Sequence, residues 1–157
     1  MRIMLTEHEI QICHYMGKQR RANAMIHNTD QKVSDRDAEK IDIDGFMAEF
    51  IVAKKFNVMP DFTIKPFKNP IDLTINKKTV DVKSTRNPQG KMYVNEYHRN
   101  NPCDIYIQVV LDDFGGLITG FITCENLFAN AEVKHTVDQF GKEHISYVLD
   151  QSFLKPV

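Results

Sequence analysis

The sequence predicts an α/β fold in which a central mixed β-sheet is flanked by helices. Two segments with helical spacing come first, and two segments that alternate apolar and polar residues follow them. Further strand-like segments and one more helical segment complete the chain. This order of elements indicates a mixed sheet with helices packed against it.

Length and composition indicate one soluble globular domain: the chain has 157 residues, of which 42% are apolar and 26% are charged. The net charge of −1 lacks the strongly basic signature of proteins that coat nucleic acid. It still permits an enzyme that contacts DNA through one local basic face. Because no apolar run approaches the ~20 residues of a membrane span, and the N-terminus has no signal-peptide core, we expect a cytoplasmic location, or host cytoplasm if the chain is phage-encoded.

The first helix is predicted from a capping-box pattern in which Thr6 and Glu9 satisfy the free amides of a helix start. Helical spacing continues to about His27. The polar stretch Asn28 to Lys40 is predicted to be a loop.

The second helix is predicted to run from Asp42 or Asp44 to Phe56. Its evidence is the recurrence of Phe46, Phe50 and Ala53 at positions i, i+4 and i+7. The following residues, from Asn57 to Pro60, end the helical pattern.

A β-hairpin is predicted next, with strands Ile71 to Ile75 and Thr79 to Lys83 and a tight turn at Asn76 to Lys78. A turn centred there pairs residues whose numbers sum to about 154. This register places Asp72 nearly opposite Val82 and diagonal to Asp81 and Lys83.

The remaining predicted elements are four strand segments and one helix. Asp104 to Leu111 is almost continuously apolar, which is typical of a strand buried on both faces. The others are Met92 to Asn95, Leu117 to Thr123 and His144 to Leu149 as strands, and Glu125 to Ala131 as a helix.

Three D/E-x-K triplets occur, and their contexts separate them. Asp30-Gln31-Lys32 falls in a predicted loop and Glu132-Val133-Lys134 near a predicted helix end, so both are interpreted as solvated charge. Asp81-Val82-Lys83 lies in a predicted strand, where residues two apart point to the same face. Asp81 and Lys83 are therefore expected to project together, with Val82 on the opposite side.

Carboxylates that converge from adjacent strands form a hard-oxygen site suited to Mg²⁺ or Mn²⁺. Asp72 and Asp81 are the candidate pair, and Lys83 beside the ion would stabilise charge that grows on a phosphorane or assist deprotonation of a water. Glu49 is the candidate third carboxylate, because it sits in the apolar stripe of the second helix, where an unpaired buried charge is costly.

These residues resemble the PD-(D/E)XK nuclease superfamily. The similarity rests on Asn69-Pro70-Ile71-Asp72, on Asp81-Val82-Lys83 and on the upstream helix Gly45-Phe46-Met47-Ala48-Glu49. It covers roughly Asp44 to Glu125 and is similar to small phage-encoded or Holliday-junction-resolvase-like members.

The resemblance implies a restriction-endonuclease-like core at residues 44–125, within a single domain of residues 1–157 that carries an N-terminal helical extension at 1–40. It also implies that Asp72 and Asp81 ligate metal together with the Val82 carbonyl. Lys83 would be the catalytic lysine, and Glu49 an accessory ligand.

Phosphate contact is assigned to basic residues near this hairpin, with Arg86 and Lys91 first because their loop leaves the strand that carries Lys83. Ordinary surface charge is the alternative for each of them. The other candidates are Lys54 and Arg99, followed by Arg20, Arg21, Lys55, Lys77 and Lys78. Tyr97 and His98 are interpreted as either substrate contacts or surface residues. Gln108 either faces the site or makes a hydrogen bond in the core, and the core role is preferred.

The sequence therefore predicts a Mg²⁺- or Mn²⁺-dependent deoxyribonuclease, with endonuclease preferred over exonuclease and DNA as partner. A homodimer is compatible, since cutting two strands requires two sites. One alternative is a catalytically inactive module that keeps the fold and binds nucleic acid or protein. Another is an unrelated α/β domain, in which Glu49 should lie far from Asp72.

Overall fold

The computed structural model describes residues 1–27, 37–65, 69–138 and 141–157, and over these the chain is a mixed α/β fold. A single turn of 3₁₀ helix, Gln151–Phe153, lies near the C-terminus. The helices are α1 (Glu7–His27), α2 (Ala38–Phe56), α3 (Glu96–Asn100) and α4 (Cys124–Asn130). The strands are β1 (Arg2–Met4), β2 (Leu73–Ile75), β3 (Lys78–Thr85), β4 (Met92–Asn95), β5 (Ile105–Asp112), β6 (Gly115–Thr123), β7 (Glu132–Val137) and β8 (Glu143–Leu149).

The described strands form two sheets. The larger has the order β1-β6-β5-β3-β2, and it is mixed because β3 and β5 are parallel while the other pairs are antiparallel. The smaller has the order β4-β8-β7 and is antiparallel throughout. The predicted α/β class with a central mixed sheet is confirmed, and the smaller sheet is an addition to it.

The start of α1 is confirmed in atomic detail. The Thr6 amide donates to Glu9 Oε2 at 2.7 Å, and the Glu9 amide donates to Thr6 Oγ1 at 3.3 Å. This reciprocal pair is the predicted capping box. Residues 1–40, predicted as a helical extension, also supply β1 to the main sheet, and α1 packs along α2.

The predicted start of α2 at Asp42 or Asp44 is wrong, as is the loop assignment of residues 38–40. The helix begins at Ala38 because the Asp37 carboxylate caps it by accepting from the Glu39 amide at 3.0 Å. This first turn carries too little apolar periodicity to be found from spacing. Residues 28–36 of the predicted loop, including Asp30-Gln31-Lys32, lie outside the described residues.

The hairpin is present, but its predicted register is wrong by one residue. Asn76 and Lys77 alone form the turn, with φ of 49° and 65°, and Lys78 already belongs to β3. Leu73 pairs with Val80, so the numbers of paired residues sum to 153, and the Asp72 amide donates to the Val80 carbonyl at 2.9 Å. The first strand is also shorter than predicted, since β2 begins after Asp72.

The later elements follow the prediction closely, with β4 exact and β5, β6, β8 and α4 shifted by one or two residues at their ends. β1, α3 and β7 were missed because they are short or mostly polar. The Glu132-Val133-Lys134 triplet lies in β7, which begins directly after the C-cap of α4, so its predicted place near a helix end is confirmed.

Two hydrophobic clusters lie on opposite faces of the larger sheet. One joins α1 and α2 to that sheet and contains Phe46, Ile51 and Val82. The other joins the sheet to the smaller sheet and α4, and it contains Tyr106 and Leu127. β3 runs between the two clusters, so its alternate side chains enter different surroundings.

Candidate active site

Asp81 and Lys83 project together from β3, as the strand period requires. Asp81 Oδ2 lies 2.8 Å from Lys83 Nζ, and the two side chains are 4% and 20% exposed. Val82 is buried in the cluster on the opposite face of the sheet. The predicted division of the triplet between two faces is confirmed.

His98, on α3, completes a group of three side chains with Asp81 and Lys83. Its Nδ1 lies 3.0 Å from Asp81 Oδ2, and its Nε2 lies 3.2 Å from Lys83 Nζ. Asp81 Oδ2 thus lies close to the Lys83 ammonium and to a ring nitrogen of His98, although it makes no hydrogen bond of good angle with any described residue. Burial opposes ionisation of Asp81, but Lys83 and His98 outweigh it and lower the pKa of the carboxyl.

Asp72 reaches β3 from the residue before β2. Its Oδ2 accepts a hydrogen bond of 2.7 Å from the backbone amide of Val82, which fixes the carboxylate beside the strand. Burial raises the pKa of Asp72 well above its ordinary value, and the negative charges of Glu49 and Asp81 raise it further. The three carboxylates are therefore near enough to oppose one another's ionisation.

Glu49 is buried, as predicted, but its charge is balanced by an arginine. Arg20 on α1 donates to both carboxylate oxygens, from Nη1 to Oε1 at 2.6 Å and from Nη2 to Oε2 at 2.9 Å. The guanidinium also donates to the Asp61 carbonyl and lies 4.7 Å from the centre of the Phe46 ring. Burial still raises the pKa of Glu49, with Arg20 opposing the shift. The negative charge of Glu49 in turn raises the pKa of Asp72.

The donor chemistry of Asp72 and Asp81 fits a hard divalent cation. Glu49, Asp72 and Asp81 carry three negative charges when ionised, and Arg20 and Lys83 carry two positive ones, which leaves one negative charge in a partly desolvated region. Among the described residues, as they are placed, no three acidic, histidine or cysteine side chains converge tightly enough to enclose an ion. Asp72 and Asp81 are thus two carboxylates of the chemical type that Mg²⁺ prefers, and the Asp72 carboxylate is already bonded to the Val82 amide.

The residues predicted to contact phosphate are distributed unevenly around this centre. Arg86 Nε and Nη2 bind Asp44 on α2, and Nη1 lies 3.0 Å from Asp113. Lys54 Nζ binds the Glu9 carboxylate near the start of α1. These contacts occupy both basic groups within the fold.

The two remaining predicted phosphate contacts, Arg99 and Lys91, differ in the surroundings of their side chains. Arg99 donates to the Tyr147 hydroxyl and stacks near two aromatic rings, including that of Phe128. Lys91 has an exposed side chain on the segment that follows β3. It is therefore the best placed of the four for contact with a ligand.

Two other assignments have clear outcomes. Gln108 is a core residue as predicted: its Nε2 donates to the Gly90 carbonyl at 2.9 Å. His98 was weighed only as a substrate contact or a surface residue, and its position between Asp81 and Lys83 was missed. No local sequence signal marks it, because β4 and the β4–β8 pairing bring α3 to this place.

The part of the chain that the structure describes contains no helix long and apolar enough to cross a membrane.

The family described as "Family of unknown function (DUF5843)" matches residues 1–155. No curated protein and no solved structure matches the chain.

Proposed function

This chain belongs to the DUF5843 family, and we propose that it is a metal-dependent deoxyribonuclease that hydrolyses phosphodiester bonds. The observation that carries the proposal is the meeting of Asp72, Asp81 and Lys83 at one end of the β2–β3 hairpin. Two carboxylates and an ammonium group in a partly buried position suit a reaction at a phosphate. The sequence resemblance to PD-(D/E)XK nucleases, with the restriction-endonuclease-like core it implies, points to the same chemistry.

Asp72 and Asp81 would hold a Mg²⁺ or Mn²⁺ ion, with the Val82 carbonyl as a third oxygen donor. When bound, such a cation supplies charge neutralisation at the phosphate and activation of the attacking water. Glu49 would act on the ion through its negative charge, because both of its oxygens are engaged by Arg20. Release of that contact would turn Glu49 into the accessory ligand.

Lys83 supplies the positive charge that the reaction needs at the phosphate. Its ammonium lies between Asp81 and His98, which orient it and leave at least one of its three hydrogens for a third partner. A donor fixed before the substrate arrives stabilises the extra negative charge of the transition state without reorganisation.

Endonuclease action, in preference to exonuclease action, is part of the proposal and is inferred from family analogy. Lys91, which is exposed beyond β3, would contact the DNA backbone next to the reacting phosphate. Arg86, Lys54 and Arg99 would join it only by exchanging their present partners.

Cleavage of labelled DNA tests the proposal directly. The substrates are closed circular duplex, linear duplex, single strand, flap and four-way junction, each with Mn²⁺ or with EDTA. The variants are Lys83→Ala and, as a control in the smaller sheet, Lys134→Ala, whose ammonium lies 5.8 Å from the centre of the Tyr93 ring on β4. We expect metal-dependent cutting that Lys83→Ala lowers at least about 100-fold and that Lys134→Ala leaves intact.

Cutting of the closed circle would establish endonuclease action, and the preferred substrate would follow from the panel. Cutting that survives Lys83→Ala would contradict the assigned site. If no substrate is cut and calorimetry detects no divalent ion binding, the inactive binding module becomes the correct description.

A further inference from the structure

His98 lies outside the motif that carries the resemblance, yet both of its ring nitrogens face the site. Nδ1 is 3.0 Å from Asp81 Oδ2, and Nε2 is 3.2 Å from Lys83 Nζ. The side chain is only 13% exposed. A histidine in this position contacts two of the three residues on which the proposed reaction depends.

The ring of His98 is held by aromatic neighbours on two elements. Its centre is 5.5 Å from the Tyr97 ring at an interplanar angle of 85°, and 6.5 Å from the Tyr106 ring at 74°. Tyr106 is fully buried on β5 and pairs with Asp81 in the parallel ladder. Edge-on packing of this kind limits rotation of the imidazole, so its orientation is set by the core of the protein.

One neutral tautomer satisfies both contacts. A lysine ammonium can only donate, and an ionised carboxylate can only accept. An imidazole with its hydrogen on Nδ1 faces Asp81 with a donor and Lys83 with a bare Nε2 acceptor. The Nδ1 contact is close but poorly aligned, so attraction between opposite partial charges describes it better than a linear hydrogen bond.

We propose that His98 is a positioning residue that holds the Asp81 carboxylate and the Lys83 ammonium in their reacting arrangement. This inference rests on the proposed nuclease function. His98 touches neither the phosphate nor the water, and it acts through the two side chains that do. Without it, the Lys83 side chain regains rotamer freedom and its ammonium spends less time beside the phosphate.

Steady-state kinetics of two His98 variants provide the activity test. His98→Ala removes both contacts, while His98→Gln keeps an amide oxygen that can accept from Lys83. We expect His98→Ala to lower kcat by about 10- to 100-fold with KM within about twofold, since loss of a group that orients a reacting residue has effects of this size. The kcat of His98→Gln should be at least about tenfold higher than that of His98→Ala.

The control is His135→Gln, because His135 is exposed on β7 and its Nδ1 lies 2.8 Å from a carboxylate of Glu143. It should keep the wild-type kcat, and melting temperatures of all variants should show that each is folded. Activity of His98→Ala within about twofold of wild type, or equal loss in the Ala and Gln variants while both are folded, would overturn the proposal.

Nitrogen-15 chemical shifts of the His98 ring provide a test that needs no cleavage. The signal is assigned by its disappearance in His98→Gln. We expect a protonated Nδ1 and an unprotonated Nε2 near neutral pH, and a shift of Nε2 in Lys83→Met. The opposite tautomer, or an Nε2 signal that ignores Lys83→Met, would overturn the arrangement. This measurement does not depend on activity. Absence of DNA cleavage would contradict the proposed nuclease function, whereas the nitrogen-15 shifts would decide the arrangement of His98.

Discussion

At the scale of single residues, Asp72 carries a negative charge that the fold disfavours. Burial and the neighbouring Glu49 and Asp81 charges raise its pKa well above the ordinary 3.8. The native state then binds more protons than the unfolded state from about pH 3.8 upward to the native pKa. Stability therefore falls as pH rises through that interval.

Asp72→Asn should raise the stability of the protein at neutral pH in EDTA. Asparagine keeps an oxygen that can accept from the Val82 amide but carries no charge, so the loss described above disappears. We expect a gain of about 0.5–2 kcal/mol near pH 7.5, which shrinks to nothing as pH falls below about 3.8. Urea unfolding of both proteins as a function of pH measures it.

Asp61→Asn is the matched control, because its sign is opposite. Burial opposes ionisation of Asp61, but hydrogen bonds from Lys65 and Thr63 outweigh it and lower the pKa to about 2. Its ionised form contributes stability that is present above about pH 3.8 and lost as pH falls towards 2. Asp61→Asn should therefore weaken the protein at neutral pH. A loss of stability in Asp72→Asn would show that its charge is compensated in the native protein.

The buried Arg20–Glu49 pair shows what sequence reasoning reaches and where it ends. The apolar stripe of α2 correctly predicted that Glu49 is buried and needs a partner. The partner is supplied by α1, 29 residues earlier, and the pairing depends on how two helices pack. Spacing within one helix carries no information about that packing. Arg20 follows Cys13 and Gly17 at helical spacing, so the three residues share one face of α1. An arginine on a buried face was the available signal for a buried ion pair.

At the scale of elements, the close crossing of α1 and α2 depends on Gly17. A Cβ added there would lie 2.4 Å from Ile43 Cα and 2.6 Å from Ile43 N, both backbone atoms that cannot move independently of α2. The crossing brings Arg20, one turn further along α1, to Glu49 on α2. Helix packing and the candidate site are thus linked through a single small residue.

Gly17→Ala should destabilise the protein by about 1–3 kcal/mol, the usual range for overpacking. Gly45→Ala on α2 is the control with the opposite sign, since an added Cβ there meets no heavy atom within 4 Å among the described residues. Alanine also favours a helix interior over glycine by about 0.5–1 kcal/mol. Urea unfolding of the two variants gives both values. Tolerance of Gly17→Ala would mean that the two helices are further apart than described.

The hairpin illustrates the same limit on sequence prediction at the scale of strands. Alternation correctly predicted both strands and the shared face of Asp81 and Lys83. The register was wrong by one residue because Lys77 occupies a left-handed turn position, with φ of 65°, which its side chain disfavours. A glycine there would have marked the two-residue turn, whereas three polar residues in a row leave its length open.

At the scale of the whole molecule, the site lies where two separate cores meet on β3. Val82 belongs to the cluster under α1 and α2, while Tyr106, which pairs with Asp81, belongs to the second cluster. His98 reaches the site only because the smaller sheet packs on that second cluster. The carboxylates come from residues 49, 72 and 81, so they assemble only in the folded chain. An ion that needs them together binds the native state and not the unfolded one.

Addition of Mn²⁺ to EDTA-treated protein should therefore raise the melting temperature. At an ion concentration about 100 times the dissociation constant, the native state gains about 2.7 kcal/mol, which corresponds to a rise of about 5–10 °C for a domain of this size. The rise should vanish in Asp72→Asn and in Asp81→Asn, because each removes one of the two proposed ligands. Asp113→Asn is the control, since Asp113 is exposed and pairs with Arg86 away from these ligands.

The size of the response separates a site from general charge screening. Mn²⁺ that merely screens the surface would raise the melting temperature equally in Asp72→Asn, in Asp113→Asn and in the wild type, and Na⁺ at matched ionic strength would reproduce it. If the melting temperature rises with Mn²⁺ but not with Na⁺, and only Asp72→Asn and Asp81→Asn lose the rise, the ion binds at the assembled carboxylates. No rise in the wild type would leave the excess negative charge of Glu49, Asp72 and Asp81 without a cation. The Asp72 carboxylate would then be neutralised by a proton instead of a metal ion, and the proposed reaction would lack its Lewis acid.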